Sequence, residues 1–379
     1  MRRIIAALVT IIIVIGLMPM GAHALEVEAK SAFLMDVTTG TVLFEQNAHE
    51  KLAPASVTKV MTLLLIMEAI DSGAIGWNDT VTASEEAAAK GGSQIFLKVG
   101  ETMSVADMVK SIAVSSANDC ACAMAEHLAG SEAAFVEKMN ARAAELGMND
   151  TNFVNCTGLD DDPEAANHKT SAHDIAVMSA ELLKNHPDIK KYTTIWMDTV
   201  RDGQFGLSNT NKMVRFYPGA TGLKTGFTSA AGYCLSASAQ REGMELVAVV
   251  MGCETSAKRF AACKQLLDHG FANYALVTPT LPDAQTVPVK LGTTKTVSAI
   301  LGQQAPMLID KTQRNSVTTE VELLPEVAAP VSKGQALGTL TVKSGDRILM
   351  RLPLVAANPV MKLSFGKVFI KVLKTMLGG

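Results

Sequence analysis

Hydrophobic and polar positions divide the chain into four textures. The first is an almost unbroken apolar stretch from Ile4 to about Met18, behind Arg2 and Arg3 and ahead of Ala22-His23-Ala24. A basic start, an apolar stretch and a small-x-small exit are the parts of an export signal. The stretch is shorter than the ~20 residues that cross a bilayer core. The pattern therefore predicts cleavage after Ala24 and an exported protein rather than a permanent anchor.

The second texture alternates between strand and helix periods. Ser31 to Asp36 and Thr41 to Phe44 are β-rich runs around Val37-Thr38-Thr39-Gly40, which reads as a hairpin. Val60, Met61, Leu63, Leu64, Leu65, Ile66 and Met67 then predict a helix buried on most sides. Pro54 suits its first turn, and Asp71-Ser72-Gly73 ends it. Short β-like pieces and a polar Gly91-Gly92-Ser93 segment fill 80–103, and Ser104 with Asp107 starts a capped helix. Helical period returns over 119–128 and over 131–146, where Gly147 stops it. Asp160-Asp161-Asp162-Pro163 is a loop, Ser171 caps a helix to about Lys184, and strands and turns are expected over 190–222. Three β-like runs follow at 222–227, 233–239 and 245–251, the last two joined by the turn Gln240-Arg241-Glu242-Gly243, and a helix over 256–274 comes after them. Helices that fall between an early hairpin and a late meander predict an α+β fold, one antiparallel sheet with helices on its faces.

From 285 to 355 short Val/Thr/Leu runs with Gly, Pro and Lys punctuation predict a small all-β domain, a sandwich by pattern. The last texture spans 362–377. On a helix Lys367, Lys371 and Lys374 share one face, and Phe365, Val368, Phe369, Val372, Leu373 and Met376 cover the other, with no acids. That is the pattern of a helix lying in a membrane interface. The expected division is a signal at 1–24, a first domain at 25–278, an all-β domain at 279–357 and an amphipathic helix at 358–379.

Composition narrows the function by exclusion. The 379 residues leave room for two domains, and the net charge of −3 becomes more acidic once Arg2 and Arg3 are removed. No basic stripe appears, so nucleic acid is not an expected partner. Export permits disulfides, but Cys120, Cys122, Cys156, Cys234, Cys253 and Cys263 are expected to be free thiols, buried among apolar neighbours. There is no C-x-x-C or H-E-x-x-H, and His168 and His173 read as capping or surface residues at a helix start. Neither a metal nor a cofactor is expected.

The chemistry starts from Ser56-Val57-Thr58-Lys59. Residues three apart share a helix face, which sets the Lys59 amine beside the Ser56 hydroxyl near the positive end of the helix dipole. A serine nucleophile with a lysine base needs that arrangement. The pattern is weak alone, since Ser364 to Lys367 repeats it. Two further motifs follow in order, Ser116-Ala117-Asn118 between two predicted helices and Lys224-Thr225-Gly226 on a predicted strand. Singly they read as a helix cap and an exposed edge strand. Jointly S-x-x-K, S-x-N and K-T-G form the set of penicillin-binding proteins and class A β-lactamases.

On these motifs the chain resembles the low-molecular-weight penicillin-binding proteins, the serine-type D-Ala-D-Ala carboxypeptidases of peptidase family S11. The likeness extends to Pro54-Ala55-Ser56, Asn209-Thr210-Asn211-Lys212 and Gly222-Leu223-Lys224-Thr225-Gly226-Phe227-Thr228, with Ala117 as a variant. It implies a β-lactamase/transpeptidase-like domain with a helical subdomain, then the all-β domain and the C-terminal amphipathic helix. It also implies that peptidoglycan pentapeptide stems are the substrate, that β-lactams acylate Ser56, and that the protein sits peripherally on the outer face of the cytoplasmic membrane.

Residue types then suggest roles. Ser56 attacks the D-Ala-D-Ala carbonyl, dividing one hard step into two. Lys59 must be neutral to act as base, below its unperturbed ~10.4, and burial with Lys224 as a second cation would lower it. Ser116 relays a proton to the leaving amine, and Asn118 holds the substrate peptide group through its amide. Lys224 and Thr225 bind the terminal carboxylate, and Gly226 lets the substrate lie close along the strand edge. By resemblance the backbone N–H groups of Ser56 and Phe227 form the oxyanion hole, leaving the Phe227 side chain to shape the pocket. A β-lactamase would need a carboxylate for its deacylating water. Glu164-Ala165-Ala166-Asn167 lies in about the right region, in an Asp/Pro/Ala loop that reads as coincidence. An inactive wall-binding protein would lack Ser56, Lys59 or Lys224, and a Ser-His-Asp hydrolase would carry a G-x-S-x-G elbow that is absent here.

Overall fold

The computed structural model describes residues 25–366 together with 368 and 369. The expected signal at 1–24 lies outside the described residues, as does most of the expected tail helix, of which 365, 366, 368 and 369 are helical.

The strands of the first unit are β1 (Ser31–Asp36), β2 (Val42–Gln46), β3 (Thr80–Thr82), β4 (Thr102–Ser104), β5 (Met197–Val200), β6 (Phe205–Ser208), β7 (Ala220–Thr228), β8 (Gly232–Arg241) and β9 (Met244–Cys253). Its α-helices are α1 (Lys59–Asp71), α2 (Glu85–Ala89), α3 (Val105–Ser115), α4 (Asn118–Ala129), α5 (Glu132–Glu145), α6 (Ala172–Asn185), α7 (Lys190–Thr193), α8 (Met213–Phe216) and α9 (Ser256–Asn273). One antiparallel sheet runs in the order β2-β1-β9-β8-β7, so β7 is an edge. β3 pairs with β4, and β5 with β6, as two small ribbons.

Both faces of the sheet are covered, which is why β9 reads as nearly continuous apolar sequence. Its residues alternate between two cores, as period 2 requires. Val247, Val249 and Met251 join the core shared with α1, α3, α4 and α6. Leu246, Ala248 and Val250 pack on Ala262, Cys263, Leu266 and Leu267 of α9. α1 is buried over most of its length among α6, α4, α3 and β7, so its apolar residues have no polar side to alternate with. All six cysteines are buried free thiols.

The all-β unit is a six-stranded sheet in the order Val317–Leu323, Ala336–Ser344, Arg347–Ala356, Thr296–Leu301, Gln285–Lys290 and Val327–Ala328, the last pair parallel. It has its own core, including Val287, Leu337, Leu340, Leu352 and Leu354. Tyr274–Val277, directly after α9, pairs with Met307–Asp310 and couples the two units. No helix among the described residues is long and apolar enough to cross a membrane.

Local expectations are corrected at five places. α2 lies where only β-like pieces are expected, and α7 and α8 interrupt 190–222. The Asp/Pro loop contains a 3-10 turn at Pro163–Asn167. The first helix opens with a 3-10 turn over Ala55–Thr58, for which Pro54 is the cap rather than a helical residue. These pieces are about one turn long, too short to show a helical period.

Candidate active site

Ser56 sits in the 3-10 turn that leads into α1, where side chains three apart eclipse one another. Lys59 Nζ lies 3.0 Å from Ser56 Oγ and donates to the Thr157 carbonyl at 2.8 Å. Lys59 is fully buried, and burial pulls its ammonium down to about 7, against the opposing pull of Cys156 and Asp119. A neutral amine anchored on Thr157 O can accept the Ser56 proton.

The turn itself is strapped from three sides. Thr58 Oγ1 donates to Ala55 O at 2.8 Å. The Val154 N–H donates to His168 Nδ1, which leaves the ring proton on Nε2, 2.8 Å from Thr58 Oγ1. His168 is thus neither a cap nor a surface residue. It is buried and neutral, its imidazolium pushed down to about 4 by burial, then by Lys169 and Lys59. From below, Gly158 (φ +80°) presses so close that a Cβ there would stand 1.9 Å from Ala55 O.

α3 ends on Ser116 in the left-handed conformation (φ 64°, ψ 28°), and α4 begins at Asn118. This corner buries Ser116 Oγ with no hydrogen-bond partner among the described residues. Asn118 is anchored by its backbone N–H to Ser93 O and by Nδ2 to Gly91 O, both at 2.7 Å. Its Oδ1 is buried and has no hydrogen-bond partner among the described residues. An acceptor so placed can take an N–H donor.

Lys224 and Thr225 come from edge strand β7. Lys224 is buried and donates to its neighbour's carbonyl, Thr225 O, at 2.9 Å. Burial, then repulsion from Lys59 and Arg259, hold it well below the ordinary lysine range. Burial is the larger cause at both lysines, and the repulsion between Lys59 and Lys224 disfavours the second charge when both carry one. Thr225 Oγ1 donates to Thr210 Oγ1 at 2.7 Å, and the Thr210 N–H donates to Val114 O, tying the strand to the end of α3.

Gly226 has a different reason than expected. A Cβ there would lie 2.6 Å from Pro54 O and 3.1 Å from Val57 N, so the missing side chain makes room for the Ser56 turn rather than for substrate. Phe227 is 52% exposed and stacks on Tyr233 at 4.3 Å, leaving one ring face open beside the strand. Glu164 is exposed in its 3-10 turn and makes no hydrogen bond to Ser56, Lys59 or Ser116 among the described residues.

Sequence reasoning missed three neighbours. Thr157 offers only a backbone carbonyl, which no motif reveals. His168 stands alone in a loop. Arg259, on α9 behind the sheet, donates to Gly226 O at 2.9 Å and keeps a buried Nε with no partner among the described residues, adding positive field behind β7. Glu86, Cys122 and Glu126 bring ligand-type atoms within 4.8 Å of one another. Lys90, bonded to Glu86 and Glu132, already compensates that acidic cluster.

A family model described as D-alanyl-D-alanine carboxypeptidase matches residues 18–255, and one described as penicillin-binding protein 5, C-terminal domain, matches residues 279–362. The D-alanyl-D-alanine carboxypeptidase DacF of Bacillus subtilis is 44% identical over 358 residues, covering 93% of this chain and 90% of its own length. The crystal structure of penicillin binding protein 5 from Haemophilus influenzae superposes with a TM-score of 0.76 at 31% identity, over 90% of this chain and 100% of that one. Penicillin-binding protein D2 from Listeria monocytogenes, solved in an ampicillin-bound form, is 32% identical with a TM-score of 0.57, over 65% of this chain and 99% of its own.

Proposed function

Because the chain belongs to the D-alanyl-D-alanine carboxypeptidase family, peptidase S11, we propose that it hydrolyses the terminal D-Ala from peptidoglycan pentapeptide stems with Ser56 as nucleophile. The observation that carries this reading is the buried Lys59 amine, lowered to about 7 and 3.0 Å from Ser56 Oγ. Neutral Lys59 accepts the hydroxyl proton as Oγ bonds to the carbonyl carbon of the penultimate D-Ala. The N–H groups of Ser56 and Phe227 receive the developing oxyanion. Ser116 passes the proton to the departing nitrogen, D-Ala leaves, and Ser56 holds the acyl group. Water then attacks this ester, the proton returns to Ser56, and the shortened stem is released.

Lys224 and Thr225 take the terminal carboxylate, which supplies the charge that buried Lys224 lacks. Asn118 Oδ1 accepts a substrate N–H on the acyl side. The stem lies along the open edge of β7, and β-lactams enter by the same acylation and trap Ser56. An export signal at 1–24, a catalytic unit at 25–278, an all-β unit at 279–357 and an interfacial helix at 358–379 put this chemistry on the outer face of the cytoplasmic membrane.

Mass analysis after labelled penicillin tests the nucleophile: one adduct is expected, and none in Ser56→Ala. An adduct that persists in Ser56→Ala refutes the assignment. A shortened stem formed from the pentapeptide supports hydrolysis, whereas cross-linked product without the shortened stem makes the protein a transpeptidase.

A further inference from the structure

Among the described residues, eight other than glycine adopt positive φ, including Ala55 (49°), Phe96 (60°) and Ser116 (64°). Ala55 and Ser116 flank reacting groups. Phe96 does not, and a bulky aromatic in the left-handed region is strained. The fold holds it there from both sides. The Asp119 carboxylate accepts from Ile95 N at 3.1 Å and Leu97 N at 3.0 Å, while Arg201 donates to Ile95 O at 2.8 Å and to Phe96 O. Ile95 and Leu97 are buried, and Phe96 between them is turned outward, 64% exposed. Its ring meets Phe205 edge-on at 6.3 Å, and the Arg201 guanidinium stacks over Phe205. Lone exposed aromatics are ordinary. One that is strained, pinned by two charged side chains and placed beside a catalytic cleft is not.

The loop's position says what the ring could meet. Asn118 bonds to Gly91 O and Ser93 O, so residues 91–97 continue the wall that carries Asn118 Oδ1. With the substrate carboxylate at Lys224 and the scissile carbonyl at Ser56, the chain preceding D-Ala-D-Ala leaves the cleft past Asn118, toward this loop. We propose that Phe96, backed by Phe205, is a specificity residue that packs against the aliphatic side chain of the stem residue preceding D-Ala-D-Ala. The inference rests on the carboxypeptidase reading above.

The test compares two peptides on the full chain, acetyl-D-Ala-D-Ala and diacetyl-L-Lys-D-Ala-D-Ala. Phe96→Asn removes the ring and suits the left-handed backbone, so the fold should hold and the melting temperature stay or rise. Its kcat/KM on the lysyl peptide is expected to fall about tenfold, through KM, with the shorter peptide and the rate of penicillin acylation unchanged. Phe96→Tyr should retain the preference. Parallel losses on both peptides and on penicillin would make Phe96 a scaffold residue and overturn the proposal, as would no change on either. If the wild-type chain releases D-Ala from neither peptide while penicillin still labels Ser56, the carboxypeptidase reading falls and the proposal with it.

Discussion

His168 Nε2 stands 2.8 Å from Thr58 Oγ1, so the tetrad that holds Ser56 and Lys59 is braced by a neutral, buried imidazole more than a hundred residues later. The Val154 N–H occupies Nδ1, and a second proton on the ring would have to displace it. The folded His168 therefore resists protonation down to about 4, whereas the unfolded chain takes up that proton near 6.5. Between these values the unfolded state binds more protons, so stability is lost as pH falls from 6.5 toward 4 and levels off below. The window is worth about 3 kcal/mol at most. Urea denaturation across this range should show the slope in wild type and a flatter line in His168→Asn. Equal slopes in both proteins would assign the acid sensitivity elsewhere.

Lys59 makes a demand on pH in the same direction. Its free base is the reactive form, so acylation by penicillin should rise with pH and reach half its plateau at about 7. Lys59→Arg keeps the charge but cannot release the proton, and it should lose about 10²–10⁴-fold in acylation rate. A profile that is flat from acid to mildly alkaline pH would remove Lys59 as the base.

Lys224 is held below the lysine range by burial and by two neighbouring cations. A carboxylate arriving beside it favours the ammonium and raises its pKa again. Binding of a D-Ala-D-Ala peptide to Ser56→Ala should then take up a proton at mildly alkaline pH. Calorimetry in buffers of different ionisation enthalpy measures that uptake directly, and Lys224→Gln should abolish it. Uptake that survives in Lys224→Gln would move the carboxylate contact to another residue.

How legible this site is in the sequence depends on how far each residue's role is carried by its type. Ser56, Lys59, Ser116, Asn118 and Lys224 are visible as side chains in ordered motifs, and the structure sets Lys59 against Ser56 and Lys224 within reach of the Lys59 charge. The α+β architecture is legible for a similar reason: β7, β8 and β9 keep strand-length apolar runs, and α9 follows in period. What stays hidden is relational. Thr157 contributes a carbonyl, His168 a tautomer fixed by another residue's N–H, and Phe96 a dihedral angle. α7 and α8 are single turns set by packing rather than by periodicity. Gly226 is visible as glycine, but the atom it makes room for belongs to Pro54, far away in sequence.

That contact is testable by adding one methyl group. Gly226→Ala drives a Cβ to 2.6 Å from Pro54 O, and Gly158→Ala drives one to 1.9 Å from Ala55 O at a φ of +80°. Both substitutions push on the turn carrying Ser56, and each should cost about 1–3 kcal/mol of stability and depress acylation. Gly158→Ala should be the worse, since backbone strain is added to the overlap. Gly206→Ala, with nothing within 4 Å of its Cβ, is the control and should acylate like wild type. Equal acylation by all three variants would show that the turn yields freely and that its geometry is not critical.

The tail carries the remaining question, where the enzyme works. The sequence pattern predicts a C-terminal helix with Lys367, Lys371 and Lys374 on one face, opposite Phe365, Val368, Phe369, Val372, Leu373 and Met376. An interfacial helix of this composition gains from apolar burial and from about 1 kcal/mol per cation near an anionic surface. The full mature chain should therefore sediment with vesicles rich in phosphatidylglycerol, bind neutral vesicles less, and release as salt is raised. A chain ending at residue 361 should remain in the supernatant while acylating with penicillin at the wild-type rate, because the motif residues all precede the tail. Vesicle binding that survives the truncation would return this helix to the all-β unit and give the membrane contact to another surface.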